Sequence, residues 1–147
     1  MMAALQVENR GIEDDLFNTL VSLFQTVPSF KSFGFSFVYL DHGRVGMEMA
    51  AGPEYANHIG TAHGGITGAL LDTVIGVSAW SMNFNVVTLE MNLNYIAPLK
   101  IGETVKAEGW VIHAGRTSVI AEGEIRSQAG KLIAKGRITY YRTGTFI

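Results

Sequence analysis

Apolar residues along the chain change their spacing from helical to alternating, then to nearly continuous, then to alternating again. Leu16, Leu20, Leu23 and Phe24 recur at helical spacing behind the acids of "IEDDLF", which suit a helix N-terminus. Pro28 closes that pattern, so a helix is predicted over about 13–26. From Phe33 the period becomes two: Phe33, Phe35, Phe37 and Tyr39 alternate with Gly34, Ser36, Val38 and Leu40. "DHGR" makes a turn, and Val45, Met47 and Met49 alternate after it, which predicts a hairpin.

Residues 63–81 are apolar nearly all round, with Ile66, Ala69, Leu70, Leu71, Val74, Ile75, Val77 and Ala79. A helix with no polar face is normally buried in a core. After it, "VVTLEMNLNYIAP" predicts a strand with Val87, Leu89, Met91, Leu93 and Tyr95 on one face and Thr88, Glu90, Asn92 and Asn94 on the other. "ETVKAEGWVIH", "RTSVIAEGEIRSQ" and "KLIAKGRITYYR" follow as further strands. Gly43, Gly115 and Gly130 each precede a basic residue at a turn, where positive φ is expected. The short turns leave no room for the crossover helices of a parallel sheet. The expected class is therefore α+β: one domain over 1–147, a curved antiparallel sheet wrapped around one long central helix.

Composition sharpens this picture in three ways. Hydrophobic residues make up 48% and charged residues 16% of 147 residues, an apolar balance that points to surface hidden in an oligomer. The net charge of −2, without a basic block, argues against nucleic acid or an anionic membrane as partner. The absence of cysteine removes disulfides, thiolate metal sites and a cysteine nucleophile. "MMAALQVENRGIEDDLF" has no basic segment followed by an apolar core, and no run is long enough for a membrane span, so a cytoplasmic location is expected.

Two features carry chemistry. "HGGI" places Gly64 and Gly65 at the start of the central helix, where free N–H groups and the positive end of the helix dipole meet. Such a site can hold a phosphate or polarise a carbonyl, and two glycines also allow tight helix packing. Asp72 stands inside the apolar run, where an unpaired carboxylate is costly unless it reaches a polar pocket or a partner. Along a helix, eight residues separate Gly64 from Asp72 by about 12 Å. One substrate carbonyl cannot meet both in the same chain. If both act together, Asp72 comes from a second subunit whose central helix runs antiparallel across a two-fold axis.

Around these lie Asn57, His58, His63 and Thr88. Asn57 suits either a substrate contact or a turn. His63 suits either a general base or a helix cap, and Thr88 either a contact to Asp72 and water or a solvated strand position. His58, His63 and Asp72 lack the spacing of a helix-borne metal site, so no metal and no cofactor are expected. No Gly-x-Ser-x-Gly elbow, P-loop or dinucleotide fingerprint occurs. Phe30, Phe33, Trp80 and Phe84 are available to line an aromatic or long-chain pocket.

Asn57-x-x-Gly60-x-x-His63-Gly64-Gly65, Asp72, "VTLEMNLNYIAPLKIGETVKAEG", "AGRT" and "GKLIAKGRITY" together resemble the hotdog-fold acyl-CoA thioesterases of the PaaI-like and Them2-like branch. The resemblance spans about Phe33 to Tyr141. It implies a hotdog domain, a homodimer or a dimer of dimers (a homotetramer), and metal-free hydrolysis of an acyl-CoA at the subunit interface. It assigns carbonyl polarisation to the Gly64 N–H, support of that pocket to Asn57 and His63, and water activation or direct attack to Asp72 of the facing subunit. It places Thr88 near the water. Gly65, Arg116, Lys131, Lys135 and Arg137 are candidate contacts to substrate and its phosphates. His58 beside the Asn and the bulky Phe33 depart from the pattern. A hotdog hydratase or dehydratase, or a non-catalytic acyl-CoA-binding protein, are the competing readings.

Overall fold

A computed structural model describes residues 6–147; Met1 to Leu5, part of the segment read for a targeting signal, lie outside the described residues. In chain order the elements are β1 (Glu8–Asn9), α1 (Asp14–Thr26), α2 (Pro28–Phe33), β2 (Ser36–Asp41), β3 (Arg44–Ala50), α3 (Gly64–Trp80), β4 (Phe84–Tyr95), β5 (Thr104–Ala114), β6 (Ser118–Ser127) and β7 (Leu132–Thr145). A seven-stranded sheet has the order β1-β2-β3-β5-β6-β7-β4. All pairings from β2 onward are antiparallel, and the two-residue β1 adds a parallel edge that periodicity did not reveal.

The predicted helices stand where expected, with one addition. Pro28 ends α1 but also starts α2, where its fixed φ suits the first helical turn. Phe33 therefore closes a helix rather than opening a strand, and Gly34 at φ 67° makes the exit. Phe24 stacks on Phe30 at 4.4 Å and leans on Phe37 at 4.2 Å, which docks the α1–α2 pair on the sheet.

α3 is sunk into the sheet, and a row of glycines explains how. Gly109, Gly123 and Gly136 lie in register across β5, β6 and β7. A Cβ at Gly109 would stand 3.0 Å from the Ile75 Cα, and one at Gly123 would meet Ile75 side-chain atoms. The row forms a trough in which Ile75 is fully buried. Each glycine follows Ala-x in the sequence, at "AEG", "AEG" and "AKG", a repeated signal of close approach.

Two bulges redirect faces that strict alternation assigns otherwise. In β2 the register shifts between Phe37 and Tyr39. Leu40 then enters the core, while the Tyr39 hydroxyl reaches Glu108 and its ring lies under Arg10. In β4 the register shifts between Thr88 and Glu90, so Leu89 bulges. Thr88 pairs with the buried Tyr140, on the face that also carries Met91 and Leu93 opposite buried Ile138 and Gly136. Val87 pairs with exposed Tyr141 on the other face. The predicted grouping of Thr88 with Glu90, Asn92 and Asn94 is thus corrected: the extra residue turns Thr88 toward α3.

Of the turn glycines, Gly43 (φ 73°) and Gly130 (φ 87°) adopt the left-handed conformation. Gly115 does not; a Cβ there would crowd the Ser118 carbonyl at 2.9 Å. No helix among the described residues is long and apolar enough to cross a membrane.

Candidate active site

The start of α3 is held from three sides. The Ala62 N–H donates to Leu99 O at 2.8 Å and the His63 N–H to Tyr55 O at 2.7 Å. His63 is the helix cap: its Nδ1 accepts the Gly65 N–H at 2.9 Å. An imidazole that accepts through Nδ1 carries its proton on Nε2 when neutral, so the ring is a cap and a donor rather than a free base. The His63 carbonyl takes the Ile66 N–H at 3.0 Å. Among the described residues the Gly64 N–H has no such partner, which leaves one aligned donor open at the positive end of the helix.

Gly64 lines a cleft of about 210 Å³ with Thr67 and the "YIAPL" segment. Tyr95 closes it by donating its hydroxyl to the Gly64 carbonyl at 2.8 Å. Gly64 and Gly68 lie one turn apart beneath the Tyr95 ring, and the absent side chain also bares the N–H. The Tyr-x-x-Pro spacing in the sequence was the signal for this wall. Asn57 is a turn residue outside the cleft lining: its Oδ1 accepts the Ile59 and Thr61 N–H groups at 3.0 and 3.1 Å, and its Nδ2 donates to Thr61 Oγ1 at 2.9 Å. It shapes the loop that carries His63.

Asp72 opens onto a different cleft, of about 190 Å³, walled by Phe30, Trp80, Val86, Thr88 and Tyr140. In the single chain the residue is exposed, although its neighbours Leu70, Leu71 and Val74 in the apolar run are buried. Enough protein surrounds the carboxylate that desolvation raises its pKa above the ordinary value. The bulge at Leu89 is what brings Thr88 to this cleft. Phe30 and Trp80 line it as the sequence allowed; Phe33 stacks on Phe35 and Phe84 lies under Arg142 instead. Tyr140 was missed, because its site emerges only when β7 is laid beside β4.

The Gly64 and Asp72 clefts share no lining residue. Within one chain, the structure keeps the Gly64 N–H and the Asp72 carboxylate apart, as the helix rise requires. β4 spans the interval: Val86 and Thr88 belong to the Asp72 cleft, and Tyr95 to the Gly64 cleft. Lys135 and Arg137 lie on the opposite face of the sheet, where Arg137 is held by Glu122 at 2.6 Å. Arg116 is exposed on the β5–β6 turn, and His58 and His63 are also exposed. Among the described residues, no three His, Cys, Asp or Glu side chains gather.

The profile of the "Thioesterase superfamily" matches residues 59–134, which include the α3 start, Asp72 and β4 to β6. The chain belongs to the thioesterase superfamily. Acyl-coenzyme A thioesterase 13 of Homo sapiens is 35% identical over 100 residues, covering 66% of this chain and 71% of the relative. A Streptococcus mutans protein solved bound to acetyl CoA is 31% identical, with TM-score 0.74 over 76% of this chain and 90% of that one. The E. coli PaaI protein of the phenylacetic acid degradation operon matches in fold, with TM-score 0.86 and 21% identity over 92% of this chain and 98% of that one. The thioesterase fold here is the hotdog fold that the motif resemblance implied, and the chain is a thioester hydrolase of that superfamily.

Proposed function

We propose that the protein hydrolyses acyl-CoA thioesters at sites shared between two copies of the chain. The observation that carries this reading is the separation of the open Gly64 N–H from Asp72, in clefts with no common residue. β4 offers the means of joining them. It is 12 residues long, pairs among the described residues only with β7, and exposes Val87, Leu89, Met91 and Tyr95. A bare apolar edge of this length is a template for another strand. If two β4 strands pair antiparallel about a two-fold axis midway between Thr88 and Tyr95, the Asp72 end of one meets the Gly64 end of the other.

In the joined site, the Gly64 N–H of one subunit donates to the developing oxyanion of the thioester carbonyl. Asp72 of the facing subunit takes a proton from water as it attacks; desolvation raises its pKa, which makes it a stronger base than an ordinary carboxylate. Thr88 holds that water beside Asp72. His63 and Asn57 keep the α3 start in place. Gly65 is engaged through its N–H with His63, so its part is close backbone approach to the substrate. Arg116, Lys135 and Arg137 remain candidates for the CoA phosphates, outside both clefts. The acyl-CoA assignment draws on the activity named for the human relative and on the acetyl CoA bound to the Streptococcus mutans protein.

The test is release of free thiol from acetyl-, hexanoyl-, palmitoyl- and benzoyl-CoA by wild type and Asp72→Asn. Turnover of at least one substrate by wild type, reduced about 10²–10⁴-fold in the variant, supports the proposal. No release from any substrate overturns the activity, and full rate in the variant overturns the role of Asp72.

A further inference from the structure

The proposed hydrolysis leaves open what the acyl group is, and the Asp72 cleft bears on that question. Water activated at Asp72 can reach only a thioester carbon that lies beside it. One arm of that carbon therefore enters the cleft. The CoA arm is anionic and bulky, whereas the cleft is about 190 Å³ and Asp72 is the one charged residue in its wall. The acyl arm is the one that fits.

Asp72, Gly76 and Trp80 recur every four residues along α3 and all line this cleft. They form one stripe, with Gly76 about 6 Å and Trp80 about 12 Å beyond Asp72. Outside its own helix, a Cβ on Gly76 would have one neighbour within 4 Å, the Tyr140 hydroxyl at 3.5 Å. The glycine thus leaves open the space in front of the phenol. Tyr140 is 2% exposed, and among the described residues its hydroxyl has no hydrogen-bond partner; the indole N–H of Trp80 is likewise buried and unpartnered among them. Buried donors without acceptors are costly and uncommon. Burial, reinforced by the Asp72 charge, raises the Tyr140 pKa, so the phenol stays a protonated donor throughout the working range.

We propose that Tyr140 determines acyl specificity: its hydroxyl donates to an oxygen carried by the acyl group about 6 Å from the thioester carbon. The protein then prefers an oxygenated acyl chain to a plain chain of the same length. The loss of one buried hydrogen bond corresponds to roughly a tenfold preference.

The experiment compares kcat/KM for hexanoyl-CoA, 5-oxohexanoyl-CoA and 3-oxohexanoyl-CoA. Wild type is expected to favour the 5-oxo chain about tenfold over hexanoyl and to give the 3-oxo chain no such gain, because its oxygen lies too close to the thioester. Tyr140→Phe brings the 5-oxo to hexanoyl ratio to about one. Gly76→Ala places a methyl in the cleft and slows all three six-carbon chains. As a helix-favouring change it leaves the protein folded. Equal rates for the two chains in wild type, or an unchanged ratio in Tyr140→Phe, overturn the proposal. If no thiol is released from any substrate, the hydrolysis reading fails. Calorimetric binding of hexanoyl- and 5-oxohexanoyl-CoA to Asp72→Asn, with and without Tyr140→Phe, then still decides the role of Tyr140.

Discussion

Asp72 carries opposite consequences for stability and for rate. Its folded-state pKa is raised by desolvation, so it favours folding only when protonated, and its charge opposes folding once pH rises through that value. Asp72→Asn is therefore expected to raise Tm at neutral pH, and the gain should vanish below about pH 4, where the unfolded chain also protonates. Thiol release should fall as pH drops through the raised pKa, because the base is lost. A wild-type acid limb at or below an ordinary carboxylate value would contradict this. His63 is expected to act through the helix. His63→Ala frees the Gly65 N–H and should cost about 1 kcal/mol, or roughly 3 °C in Tm. His63→Asn, whose side-chain oxygen also caps, should recover most of the stability and the rate. A rate that stays low in a restored helix would assign the ring a part in the chemistry.

Elements differ in how openly the sequence declares them. α1 and α3 were readable because their apolar spacing, acids and flanking residues are local signals. The bulge at Leu89 was not, since nothing in "VTLEMN" distinguishes a strand with an extra residue from a regular one. Alternation consequently placed Thr88 on the polar face and left its contact with Asp72 as one of two readings, and Tyr140 did not stand out at all. The glycine row was available as a repeated "A-x-G" but gains meaning only when three strands lie in register. Gly109→Ala is expected to be among the most damaging single substitutions, because its Cβ would press on the α3 backbone at Val74 and Ile75. Overpacking of this kind costs about 1–3 kcal/mol or more. Thermal unfolding should show a Tm drop of several degrees, or the variant should fail to accumulate in soluble form. A Tm within a degree of wild type would mean that α3 can lift away from β5 freely.

At the scale of the whole molecule, a shared site has a consequence that no single-chain site has. Asp72→Asn and Gly64→Val are each expected to be nearly inactive alone. Mixed in equal amounts and allowed to exchange, half the dimers carry one of each chain, and each such dimer keeps one intact site. Activity should then recover to about a quarter of wild type. No recovery after demonstrated exchange would mean that Gly64 and Asp72 act within one chain. Leu89→Asp puts a charge on the exposed edge of β4 and should yield monomers by light scattering, with loss of thiol release and a folded circular-dichroism spectrum. An active monomer would overturn the shared site.

The sequence by itself determined the order of α1, the β2–β3 hairpin, α3 and strands β4 to β7, the glycine at the start of α3 and the eight-residue interval that forbids Gly64 and Asp72 from sharing one substrate in one chain. These follow from period, capping and helix rise, which depend only on near neighbours along the chain. Tertiary structure alone decided that Asp72 stands at a cleft mouth rather than in the core, that Thr88 turns toward it, and that Tyr140 forms its floor with an unpartnered hydroxyl. Those outcomes rest on the pairing of β4 with β7, whose Thr88 and Tyr140 are far apart in the chain. A register shift of one residue there reverses which side chains face the helix.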